Sequence, residues 1–143
     1  TIHVEMDCKE DPMQCHELID DMERECLKSH NIHLVIHYDP VVTDDPELTR
    51  LHILVDELLG EMDARLKTQI SAGRPLDPDF RMVPGGGHTN LIFDIAVPQD
   101  TKYTKSEIQD KLEEALCARE GKTYHTIITF DPLAFNQESC EHQ

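Results

Sequence analysis

The stretch "IHLVIHYDP" (32–40) alternates apolar and polar side chains and carries His33, His37 and Asp39 on its polar side. Residues two apart in a strand point the same way, so His37 and Asp39 emerge together with His33 and Val35, opposite a core-directed Ile32, Leu34, Ile36 and Tyr38. A further imidazole comes from "TIHVEMD" (1–7), where Ile2, Val4 and Met6 alternate with His3, Glu5 and Asp7. One imidazole from the first strand, with an imidazole and a carboxylate from the second, form a mixed nitrogen and oxygen donor set. That set suits a divalent ion, Zn²⁺ first, with Fe²⁺, Mn²⁺, Co²⁺ or Ni²⁺ as other occupants. A single His-x-Asp pair on a solvated strand carries little weight, because an outward histidine is more often simply polar.

Those strands need connecting elements. Between them, from Pro12 to about Ser29, Cys15, Leu18, Ile19, Met22 and Cys26 recur at helical spacing behind the start signal Asp11-Pro12. The crossover makes a βαβ unit, in which the two strands run parallel and lie adjacent or one strand apart. His16 falls in the first turn of this helix and reaches the polar face only around the sheet edge or from a partner chain. "TDDPELTRLHILVDELLGEMDARLKTQ" (43–69) opens with a second Asp-Pro and places Leu48, Leu51, Val55, Leu59, Met62 and Leu66 on one helical face. "SAGRPLDP" (71–78) breaks that helix. "DFRMV" and "TNLIFDIAV" then flank "PGGGH" as a hairpin, Thr104 and Glu107 form a capping box before a helix with Ile108, Leu112, Ala115 and Leu116, and "TYHTIITFDP" closes as a strand. The order predicted is βαβ followed by αββαβ.

Composition narrows the partners. The 143 residues include 29 acids against 13 bases, a formal charge of −16 that repels nucleic acid and favours cations or basic partners. No stretch offers the roughly 18 to 20 apolar residues of a membrane span, and "TIHVEMD" lacks the pattern of an export signal. Five cysteines without a Cys-x-x-Cys pair point to a reducing compartment, with Cys26 as core filler and Cys140 in a frayed tail.

An internal repeat follows from the two strands ending in Asp-Pro. "IHLVIHYDP" set against "YHTIITFDP" pairs His33 with His125 and Asp39 with Asp131, an offset of 92, while Ile19 matches Ile108 at an offset of 89. At aligned positions the second copy has Ile92 for His3, Lys105 for His16 and Thr129 for His37, so the copies differ where ligands would stand. The expected organisation is a first unit over 1–44, cut at its N-terminus as in a piece of a longer protein, a complete second copy over 45–135, and a flexible tail over 136–143.

The segments "HVEMD", "CHELIDDME", "IHLVIHYDPVVTDDPEL", "DFRMVPGGGHTNLIFDIAVP" and "FDP" together resemble the cytosolic C-terminal domain of the cation diffusion facilitator family, in the bacterial branch with a tandem copy. The resemblance covers nearly the whole chain. It implies an α+β fold of tandem ferredoxin-like, or metallochaperone-like, units with helices on one face of the sheets. It implies a homodimer with metal at its interface, held by His3, His16, His37 and Asp39. It further implies a soluble regulatory fragment on the cytoplasmic side of the cell membrane, attached to a transmembrane domain that exchanges zinc-like cations for protons. In well-described members a further histidine precedes the strand of His3, whereas this chain starts at Thr1. Of the implied ligand set, the aligned second copy keeps Asp131 alone.

Two other functions fit the sequence. A free-standing ferredoxin-like module could sense a small ligand or buffer metal. A metallohydrolase would need an open coordination position and a general base, for which Glu5 is the one candidate, and no nucleophile elbow is present, so the chain is not expected to be an enzyme.

Overall fold

Strand β1 (Ile2–Asp7) and strand β2 (Ile36–Val41) pair in parallel, joined by helix α1 (Pro12–His30). These elements come from a computed structural model, which describes residues 1–69 and 79–132. Helix α1 starts where Asp11 turns extended and its carboxylate accepts the backbone N–H of Met13 at 2.8 Å and of Gln14 at 3.2 Å. It ends at Asn31, whose φ of 54° is the left-handed stop that a small amide side chain tolerates. Sequence alternation predicts a strand from Ile32. Pairing with β1 begins only at Val35, whose carbonyl accepts the N–H of Ile2, and Ile32 is 54% exposed rather than core-directed.

Helix α2 (Pro46–Met62) is capped by Asp45, which accepts the N–H of Glu47 at 2.8 Å. The predicted continuation to Gln69 does not occur. Asp63 leaves the helix with extended backbone, and Lys67–Gln69 form strand β3. The reason is tertiary: Asp56 accepts both the N–H and the hydroxyl of Thr68, at 2.8 and 2.9 Å, and a neighbouring strand edge takes up the backbone. Leu66 keeps its expected place in the core from outside the helix.

Strand β4 (Arg81–Pro84) and strand β5 (Thr89–Val97) form the predicted hairpin. A Cβ on Gly85 would lie 2.4 Å from the His88 carbonyl oxygen, so the turn requires glycine there. Helix α3 (Lys105–Glu120) starts at Thr104, whose hydroxyl accepts the N–H of Glu107 at 3.1 Å, and strand β6 (Tyr124–Pro132) follows. β6 runs parallel to β5 along one edge. β4 and β3 lie end to end along the other edge, antiparallel, against Thr89–Ile92 and Asp94–Ala96. The described residues thus form an α+β fold of three helices and six strands with two βαβ units, β1-α1-β2 and β5-α3-β6. The chain reads βαβ and then αβββαβ, one strand more than predicted.

The two units are joined beside β2. An antiparallel bridge links Val42 to Met82 through N–H···O bonds of 2.7 and 3.2 Å, and Arg81 of β4 pairs with Glu5 of β1. Their interiors differ. Leu51, Val55 and Leu59 of α2 meet Ile108, Leu112 and Leu116 of α3 over Leu91, Phe93 and Ile95 of β5. Truncating one such leucine to alanine costs about 2–5 kcal/mol. Around α1 only Cys15, Ile19, Ile36 and Val41 are buried among the described residues. Leu18 and Met22, expected on the covered face of α1, are 53% and 39% exposed. Cys26 is partly buried, in keeping with a filler role. The helix breaker at 71–78 and the tail at 136–143 lie outside the described residues.

Candidate metal centre

Parallel pairing of β1 and β2 sets His3 opposite His37 and Glu5 opposite Asp39. All four side chains therefore leave the same face of the ladder, away from α1. The imidazoles of His3 and His37 stack with centroids 5.3 Å apart and planes 27° from parallel. His3 Nδ1 lies 3.1 Å from Asp39 Oδ2. An ionised carboxylate only accepts hydrogen bonds, so His3 donates from Nδ1 and its Nε2 lone pair points outward. A carboxylate that fixes the tautomer of a histidine in this way leaves the other ring nitrogen ready to ligate.

The donor set, two imidazole nitrogens and a carboxylate at a solvent-facing strand pair, fits a late first-row divalent ion. It is not a closed cage. Among the described residues no group of three or more histidine, cysteine, aspartate or glutamate side chains is arranged to hold a metal ion. His16 is not brought to this face. It lines a cleft between α1 and β2 with Ile19, Asp20, Glu23, Ile36 and Tyr38, on the opposite side of the sheet from His37. His33 precedes β2 and is exposed.

Glu5 is the neighbour that sequence reasoning underused. It lies opposite Asp39, and its carboxylate receives Arg81 Nη2 at 2.8 Å as well as Arg81 Nε. One face of β1 and β2 thus carries two imidazoles and two carboxylates, with one carboxylate already neutralised by a cation from the second unit. His52 of α2 stands at the edge of the core: its Nε2 lies 2.7 Å from Thr68 Oγ1, and its ring stacks 4.4 Å from Phe80.

The structure also revises the repeat. Glu23 of α1 accepts the N–H of Ile36 at 2.7 Å, and Glu113 of α3 accepts the N–H of Thr126 at 2.7 Å. The left-handed caps Asn31 and Gly121 precede those strand residues by the same distance, so Glu23, Asn31 and Ile36 map onto Glu113, Gly121 and Thr126 at one offset of 90. Strand pairing, with Ile2 against Ile36 and Leu91 against Thr126, then sets the first strands at an offset of 89. On this mapping Ile92 stands for His3, as expected. Ile127 stands for His37 and Thr129 for Asp39, two residues from the positions that matching Asp-Pro dipeptides suggests. Asp131 is therefore no counterpart of Asp39. The places of His3, His37 and Asp39 are thus taken in the second unit by Ile92, Ile127 and Thr129, with Asp94 in the place of Glu5.

Comparison with protein families, with curated proteins and with solved structures finds no match to this chain.

Proposed function

We propose that this chain is a metal-responsive regulatory and dimerisation domain of a divalent-cation/proton antiporter of the cation diffusion facilitator kind, built from tandem ferredoxin-like units. The observation that carries the reading is the β1–β2 register. It sets His3 beside His37 and Asp39 on one outward face, while the matching positions of the second unit hold Ile92, Ile127 and Thr129. His3 and His37 would supply imidazole nitrogens to the ion, and Asp39 would either join them or orient His3. His16, on the other side of its own sheet, would complete a site only from a second copy of the chain. A shared site of that kind turns binding energy into association energy and so biases whatever is attached to each protomer. Among the described residues no helix is long and apolar enough to cross a membrane, so the reading assigns transport to a membrane domain outside them.

Calorimetry with Zn²⁺ at pH 7.5 and 5.5 tests the proposal. Protonated imidazole cannot ligate, and an ordinary histidine titrates near ~6.5, so affinity is expected to fall at the lower pH. Equal affinity at both values would remove histidine from the site.

A further inference from the structure

A second group of histidines stands in the second unit, far from the first in sequence. The ring of His88, directly after the glycine turn, and the ring of His125, near the start of β6, lie 4.6 Å apart between centroids at an interplanar angle of 72°. We infer that His88 and His125 form a two-histidine binding site for a borderline divalent transition-metal ion, Cu²⁺ ahead of Ni²⁺ and Zn²⁺, independent of His3, His37 and Asp39.

Placement, not proximity alone, supports the assignment. Asn90 pairs with His125 across the parallel ladder, so their side chains share one face of the β5–β6 pair, and the His88 ring lies against that of His125 from the end of the turn. That face is solvent-accessible at both histidines. Both ends of the pair are fixed by backbone: the Thr89 N–H bonds to the Thr123 carbonyl at 3.2 Å, and the His88 carbonyl fills the space beside Gly85 that any other residue would need. Two imidazoles already in contact, one on β6 and one beside the first residue of β5, need only side-chain rotation to aim one nitrogen each at a shared ion, so little ordering cost opposes binding. Asn90 offers an amide oxygen on the same face, and water completes the coordination. The Irving–Williams order then ranks Cu²⁺ above Ni²⁺ at such a nitrogen site and Cu²⁺ above Zn²⁺. The chain's charge of −16 raises the local concentration of any cation.

The pair is not an inherited copy of the first site. On the offset of 90, His125 corresponds to Val35, and His33, its apparent partner in sequence, has no structural equivalence to it.

The test uses the full chain carrying His3→Gln and His37→Gln, which removes the first site's imidazoles. Cu²⁺ titration followed by electron paramagnetic resonance is expected to show one bound ion with nitrogen ligation, and binding that weakens between pH 7.5 and 5.5. Adding His88→Gln or His125→Gln is expected to weaken it at least ~10-fold, with circular dichroism unchanged because both side chains are at the surface. Absence of nitrogen-ligated Cu²⁺ in the His3→Gln, His37→Gln background would overturn the inference. So would Cu²⁺ binding that survives both His88→Gln and His125→Gln, since the ion would then be held elsewhere. The first site is read separately, from Zn²⁺ binding to the His88→Gln, His125→Gln chain with His3 and His37 intact, so its failure and the failure of this inference are distinguishable.

Discussion

Asp39 holds a carboxylate oxygen 3.1 Å from His3 Nδ1, and that contact decides how each residue of the β1–β2 face should respond to substitution. Replacing His37 by alanine removes an imidazole that nothing else on the face supplies. Replacing Asp39 removes either a ligand or the group that orients one. Each change is expected to weaken Zn²⁺ binding by at least the ~10- to 100-fold typical of losing an orienting partner, whereas Asp131→Ala should leave it unaltered. Stability of the metal-free protein should move by no more than about 0.5 kcal/mol, since the side chains are at the surface. Calorimetry paired with urea unfolding of the three variants separates these effects, and a His37→Ala protein that bound Zn²⁺ as tightly as the parent would refute the site. These residues were legible in the sequence because period-two alternation states which side chains share a face, and the parallel crossover leaves few ways to pair the strands. The role of Glu5 was not, since its partner Arg81 is 76 positions away and on another unit. The true repeat offset was hidden as well, because a recurring Asp-Pro dipeptide is louder in sequence than the backbone hydrogen bonds of Glu23 and Glu113.

Elements show the same division between local and remote causes. The starts of all three helices were readable, as each depends on a cap within three residues of the first turn. Strand β3 was not, because Lys67–Gln69 continues a helical pattern and turns extended only to meet Asp56 and β5. Exposure of Leu18 and Met22 on α1 was equally hidden, since periodicity says which residues share a stripe and not whether a sheet is wide enough to cover it. Between α2 and α3 the stabilising cluster is polar as well as apolar. Arg50 makes two hydrogen bonds to Glu120, at 2.7 and 2.8 Å, and two to Glu47. The Arg50 guanidinium holds both carboxyls below the ordinary value of 4.5. A carboxyl whose folded pKa is lowered contributes stability above its unfolded pKa and loses that contribution as pH falls through the folded one. Arg50→Gln is therefore expected to destabilise the protein at pH 7, with the gap to the parent closing as pH drops below about 4.5. Thermal unfolding across pH 7 to 2 checks this, and a constant gap would mean that Arg50 acts through packing alone.

At the scale of the whole molecule, chemistry and bulk are separated. The segment from Leu48 to Tyr124 supplies the large hydrophobic core, while the β1–β2 face carries the donors over a thin interior. His16 lies in the cleft between α1 and β2, on the other side of the sheet from His37, so under the proposed function it would reach the donors only from a second copy. Saturating Zn²⁺ is expected to shift the chain from monomer toward dimer in sedimentation experiments at ~100 μM protein, and His16→Ala to reduce the shift. A monomer that stays unchanged with metal bound would confine the site to one chain. The junction between the units has a mechanical consequence. Among the described residues, the Val42–Met82 bridge and the Glu5–Arg81 pair fasten the first unit beyond the continuous chain, while β5 and β6 are sewn together along nine residues each and backed by the core. Tension arriving at Thr1 would therefore be carried through a weak seam into a stiff block. The first unit would peel away as a compliant hinge before the block yields, so a pull at the N-terminus would move the donor face without unravelling the body that carries it.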